Sequence, residues 1–216
     1  MLTTTQFQTL DDLYAFYNVR LFSASLPECI INLSRRTGSY GFFASYLWAS
    51  FDPERSIPEE RFHEISLNPD YLLRPSIEYH ATLVHEMVHL WQQEYGNPSR
   101  SGYHNREWAC KMQSIGLMPS DTGLPDGVPI GQTMSQYIIK NGLFQTVYNS
   151  IDPDELEILR LKYLPVASLA AYEKNKPPNP KSNTRVKYSC PCGNNIWGRP
   201  ALQILCLICH TPFQPA

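Results

Sequence analysis

His85-Glu86-Met87-Val88-His89 lies inside a largely apolar run, with His80-Ala81-Thr82-Leu83-Val84 before it and Leu90-Trp91 after it. Two histidines four residues apart on an α-helix are one turn apart and differ by about 40° around the axis, so both imidazoles can face one point in space. Glu86 follows the first histidine, where its carboxylate can take a proton from a water held at that point. The apolar flanks predict a mostly buried helix that Ser76 caps and that reaches to about Glu94. A buried pair of neutral imidazoles beside a carboxylate is costly unless something pairs with it. The pattern therefore points to a divalent metal rather than to a solvated surface helix.

A catalytic zinc needs a third protein ligand and one open position. Tyr95 stands where a longer pattern on the same segment would supply a third histidine, and it cannot serve. Further on comes Gly102-Tyr103-His104-Asn105-Arg106-Glu107-Trp108. The turn-forming stretch Gly96-Asn97-Pro98-Ser99-Arg100-Ser101-Gly102 ends the first helix near Tyr95, and a second helix is expected from about Tyr103 to Ile115. His104 and Glu107 share a face of its first turn, and either can close the set. The reading prefers His104. Glu107 is then the alternative ligand, a carboxylate behind a ligand, or an acidic residue that the helix dipole favours.

The C-terminus carries a second cluster, Cys190-Pro191-Cys192 and Cys206-Leu207-Ile208-Cys209-His210. Two thiolate pairs separated by a strand pair are how a small ribbon holds structural zinc, here through Cys190, Cys192, Cys206 and Cys209, with His210 as a substitute for Cys209. Cys29 and Cys110 stand alone and are assigned to core packing. The chain has 216 residues, 43% hydrophobic and 12% aromatic, enough for one domain and a small appendage. Its start has neither a basic region nor an apolar run, and no stretch approaches twenty apolar residues. No signal peptide and no membrane partner are therefore expected, and the cytoplasm, with association to the nucleoid, is the expected location.

The net charge of −2 hides an asymmetry. Residues 174–216 hold Lys174, Lys176, Lys181, Arg185, Lys187 and Arg199 and no acidic residue. That leaves 12 basic and 20 acidic side chains in residues 1–173. A basic tail on an acidic body points to the tail as the part that meets a polyanion. Lys187, Tyr188, Trp197 and Arg199 interleave aromatics with cations, as a stacking surface for single-stranded or damaged DNA requires; the alternative is that Trp197 fills the ribbon's small core.

Elsewhere, Leu10, Leu13, Tyr14, Tyr17 and Leu21 recur at helical spacing, with Thr9 or Asp11 as cap and Pro27 as stop. Strands are expected at Cys29–Leu33, Tyr40–Trp48 and Arg61–Leu67, forming a small antiparallel sheet whose edge could take up an extended peptide. Residues 118–133 read as a long loop over the cleft, and Met134–Lys140 as a short strand or helical turn. Asp152-Pro153-Asp154-Glu155 reads as a helix start, and Lys176–Ser182 as a linker.

The segments around His85–Trp91 and Gly102–Met112 resemble the SprT-like family, which includes the Spartan proteases that degrade proteins crosslinked to DNA. Tyr103 intervenes between Gly102 and His104, and Asn105 stands where the family usually has glycine, but His104, Glu107 and Trp108 keep their register. The resemblance runs from about residue 10 to 118 and returns at the C-terminus. It implies an α+β, small gluzincin-like metallopeptidase domain over residues 1–173, a basic linker over 174–187 and a zinc ribbon over 188–216. It also implies a catalytic zinc on His85, His89 and His104, Glu86 as general base, and proteins on DNA as substrates. Tyr103 and Tyr137 are candidates to steady the oxyanion. A non-enzymatic zinc-stabilised DNA- or protein-binding module is the rival, and an intact Glu86 argues against it.

Overall fold

The computed structural model describes residues 1–52, 54, 58–100, 102–152 and 186–215. It divides into two compact units, Met1–Pro165 and Val166–Ala216. The expected domain boundary at 173/174, the Lys176–Ser182 linker and the body of the helix expected after Asp152 lie outside the described residues.

The first unit opens with helix α1, Leu2–Phe22, which buries Leu10, Leu13, Tyr14, Tyr17 and Leu21 on one side. It starts well before the expected caps: the Thr9 hydroxyl bonds back to Thr5 O (2.9 Å) within the helix. It also ends before Pro27, at Ser23 with φ 56°, a left-handed residue that closes the last turn. Strands β1 (Cys29–Leu33), β2 (Gly41–Phe51) and β3 (Pro58–Leu67) follow in the order β1-β3-β2. The sheet is mixed, not antiparallel: β2 and β3 form a hairpin, and β3 inserts beside β1 and runs parallel to it. Strand β2 is thereby left at an edge. Buried Asn68, just after β3, ties the β1–β2 loop down by donating to Arg36 O (3.0 Å) and Ser39 O (2.9 Å).

Helix α2, Ser76–Tyr95, is buried continuously from Tyr79 to Val88. Pro75 precedes it without a side-chain cap, and the Ser76 hydroxyl, expected to cap, pairs with Tyr148 OH (2.6 Å) instead. Helix α3 is Arg106–Ser114, three residues shorter at its start than expected, because Asn105 is the true cap and accepts from Trp108 N (3.0 Å). A β4 (Leu117–Ser120) and β5 (Ser135–Ile138) hairpin and helix α4 (Leu143–Asn149) follow among the described residues, so the Met134–Lys140 segment resolves as strand. Cys110 is exposed rather than in the core, and Cys29 is half-buried. The second unit is a small sheet of β6 (Val186–Ser189), β7 (Asn195–Gly198) and β8 (Gln214–Pro215), ordered β7-β6-β8. No helix among the described residues is long and apolar enough to cross a membrane.

His80, on α2, is buried against Tyr17, Tyr79 and Tyr148, with Tyr17 OH 2.8 Å from its Nδ1. Burial pushes its pKa down to about 3. The folded value lies below the roughly 6.5 of an unfolded histidine, so the unfolded chain binds the extra proton between them. Stability from this group is complete above about pH 6.5 and lost as pH falls. Between pH 6.5 and 5 the parent should lose about 2 kcal/mol more than His80→Leu in urea unfolding; equal losses would refute this.

Candidate metal centres

Helix α2 places His85 and His89 one turn apart, and their ring centroids lie 5.2 Å from one another. His104 reaches them from outside any helix. It sits just before the α3 cap, in a two-bond bridge with Gly131 (His104 N to Gly131 O 2.8 Å, Gly131 N to His104 O 3.1 Å). One possible ligand nitrogen from each of the three histidines falls within 4.8 Å of the other two. Trp108, wholly buried on the first turn of α3, floors all three rings at centroid distances of 4.8, 5.2 and 4.4 Å. Its indole N–H has no acceptor among the described residues, a cost of roughly 1–3 kcal/mol carried to keep the plate in place.

Hydrogen bonding sets which nitrogen two of the histidines offer. His85 Nδ1 meets Gln136 Oε1 at 2.8 Å, and His104 Nδ1 faces Gly131 O at 3.3 Å. Both acceptors need a hydrogen on Nδ1, which turns the Nε2 lone pairs inward. His104 Nε2 then stands 3.0 Å from His89 Nε2. Burial holds the imidazoles neutral: His85 falls to about 3, with the His104 charge as a lesser cause, and His89 and His104 are also lowered. Converging neutral nitrogens in a buried pocket fit a borderline cation such as zinc, with His85, His89 and His104 as its holders.

Glu86 lies beside them, its carboxyl pushed up to about 8 by burial against the opposing pull of Arg36 and the Phe43 N–H. Any cation on the imidazoles draws it back toward ionisation. Gly41 is what lets β2 approach so closely: a Cβ there would lie 2.9 Å from Ser66 O, 3.1 Å from Thr82 Cγ2 and 3.3 Å from Glu86 Oε1. The three histidines and Glu86 open on a cleft of about 650 Å³. Arg36–Phe43 wall one side; Asp121, Thr122 and Gln132–Gln136 wall the other. The loop expected over the cleft does line it. Tyr103 and Tyr137, read as oxyanion candidates, do not.

Glu107 sits in the first turn of α3, the acidic helix-start position among its alternatives. Its carboxylate accepts from Asn97 N (2.7 Å) and Gln92 Nε2 (2.7 Å), which pins the loop after α2 and draws its pKa down. It hydrogen-bonds to none of the three imidazoles. The outer partners are Gln136 and Gly131, which the sequence reading missed because they lie far along the chain and carry no motif. The one available signal was the loop itself, long and rich in turn formers.

A model of the SprT-like family matches residues 10–131. The chain belongs to the SprT-like family. No curated protein and no solved structure matches it. The matched SprT-like segment includes all three histidines, Glu86 and Gly131.

In the second unit, Cys190, Cys192, Cys206 and Cys209 form the other candidate metal cluster among the described residues. Sulfur separations are 3.1 Å for Cys190–Cys209, 3.3 Å for Cys190–Cys192 and 3.6 Å for Cys192–Cys206. The N–H groups of Cys209 and Ile208 lower the Cys206 thiol, and the Cys190 hydrogen bond lowers Cys209 to about 6. Burial pushes the Cys190 thiol up to about 12 instead; four sulfurs this close suit a thiophilic cation, whose charge would draw that thiol toward thiolate. His210 is not in the cluster, so the sulfur of Cys209 stands where the substitution was considered. Tyr188, read as a nucleic-acid contact, is buried at 1% exposure and its OH donates to Arg199 O (2.7 Å); it is the unit's core. Trp197, the alternative core residue, is 62% exposed and pairs across the strands with exposed Lys187. Arg199 is exposed beside them.

These placements separate the ligand candidates. His104→Ala should empty the three-histidine site at metal concentrations where Glu107→Ala still fills it, as read by competition with a chromophoric chelator. Glu107→Ala should instead lower stability by releasing Asn97. The reverse pattern of metal loss would make Glu107 the ligand.

Proposed function

We propose that the chain is a zinc-dependent endopeptidase of the small gluzincin-like kind, acting on proteins bound or crosslinked to DNA. The observation that carries this reading is the convergence of one possible ligand nitrogen from each of three histidines, with the Glu86 carboxylate lining the same open cleft. Zinc held by His85, His89 and His104 would supply a Lewis acid for the scissile carbonyl and lower the pKa of a water. Glu86 accepts the proton of the attacking water and returns it to the leaving amine. The open edge of β2 at Gly41–Phe43, part of the cleft wall, is suited to take up the substrate as an added strand. A structural site would have no use for a carboxylate in that cleft, which disfavours the non-enzymatic module.

The substrate class rests on the family, on the charge asymmetry of the chain and on the second unit. With structural zinc on its four cysteines, that unit would act as a ribbon. Exposed Lys187, Trp197 and Arg199 would hold single-stranded DNA by stacking and charge. Proteins on the cytoplasmic nucleoid are then the natural targets.

Cleavage of a DNA-binding protein in the presence of single-stranded DNA tests the first half. Glu86→Gln should keep fold and metal while activity falls at least about a hundredfold; undiminished cleavage would mean another catalyst. For the second half, Trp197→Ala should weaken oligothymidylate binding by roughly 5–100-fold in a fluorescence titration. Unchanged affinity would remove this face from the DNA contact.

A further inference from the structure

Gln136 stands on β5 with its side chain at the cleft wall, and its strand is held in register by pairing of Gln136 with Pro119 on β4. For His85 to turn the Nε2 lone pair inward, Nδ1 must carry the hydrogen. The Gln136 atom 2.8 Å away must therefore be the carbonyl oxygen. That assignment fixes the other end of the amide. Nε2 has no hydrogen-bond partner among the described residues and is not sealed from solvent, so its two N–H groups are free on a side chain that lines the cleft.

Other donors near the cleft are less well placed. The Tyr40 ring packs against Tyr71 (4.6 Å) and under Arg74 (4.0 Å). Arg36 is exposed, with its guanidinium over the Phe42 ring at 5.3 Å. Among the described side chains lining the cleft, only Gln136 is hydrogen-bonded to one of the three imidazoles from outside their set. The chemistry of the side chain matters too. An aspartate or glutamate would serve the imidazole equally well, but would turn an acceptor toward a substrate carbonyl. An amide offers an acceptor to the histidine and a donor to the substrate.

We propose that Gln136 acts at two atoms at once: its carbonyl orients His85 toward the metal, and its amide N–H donates to the carbonyl oxygen of the peptide bond under attack. The proposal rests on the peptidase reading above. A fixed donor aimed where negative charge develops is worth roughly 10²–10³ in kcat. Loss of an outer partner of a ligand weakens metal binding by about 10–100-fold.

Gln136→Ala and Gln136→Glu separate the two roles in the full chain. Three quantities are read: Co²⁺ affinity by chelator competition, acetohydroxamate affinity of the Co²⁺-loaded protein from its visible spectrum, and kcat on a histone with single-stranded DNA. Gln136→Ala should hold Co²⁺ about 10–100-fold more weakly. Gln136→Glu should hold it at least as tightly as the parent, because the carboxylate still accepts from Nδ1. Its kcat should nonetheless fall about a hundredfold or more with little change in KM, and its hydroxamate affinity should drop. Parental Co²⁺ affinity in Gln136→Ala overturns the orienting role. Parental kcat or hydroxamate affinity in Gln136→Glu overturns the donor role. If the parent cleaves nothing, the peptidase reading fails, while the Co²⁺ and hydroxamate measurements still decide both roles of Gln136.

Discussion

Three neutral imidazoles can meet at one point only if each has its hydrogen turned outward, and for two of them the structure shows what holds that hydrogen. His85 Nδ1 has the Gln136 carbonyl and His104 Nδ1 has the Gly131 carbonyl. Both acceptors belong to the short stretch that ends in β5. The Trp108 plate packs against all three rings from below. Much of the rest of the first unit serves this arrangement. Asn105 starts α3 so that Trp108 lands under the rings, and Glu107 and Gln92 hold the loop that delivers His104. Asn68 fastens the loop forming the opposite wall of the cleft.

What could be read from the sequence was what is local. The His85–His89 pair follows from helical periodicity alone. Strand β1 begins and ends at the expected residues, since Cys29–Leu33 is a short apolar run between turn formers. His104 was legible as a residue but not as a conformation. Its neighbours suggest a helix, yet the ligand must reach sideways, and a bridge to Gly131 does that where a helical turn would not. Gln136 was not legible at all, because a polar residue in a strand after a loop looks like any other until the fold puts an imidazole beside it.

The sheet and the second unit repeat the point. Strand lengths and alternation give strands but not their partners, so the insertion of β3 between β1 and β2 had to come from the fold. In the second unit the cysteine spacing announced the cluster. Of its two aromatics, both read as a stacking face, Tyr188 supplies the core instead because its hydroxyl can satisfy both Arg199 O and Leu202 N, and Trp197 is left outside. A phenol with two backbone partners is cheaper to bury in so small a unit than an indole with none.

Strand β2 is bulged just beyond the cleft. Between Ala44 and Trp48 it takes extra residues against β3, and Tyr46 adopts φ 51° with its hydroxyl bonded to Glu94 (2.9 Å) and its carbonyl to Arg61 (2.7 Å). An unpaired sheet edge invites any extended backbone, including that of an identical chain, and can seed aggregation. The cleft needs such an edge at Gly41–Phe43. Just beyond, the bulge twists the strand out of line and fastens it to α2. The straight stretch of edge at the cleft is thereby only a few residues long, which shortens the template it offers to another copy of the chain.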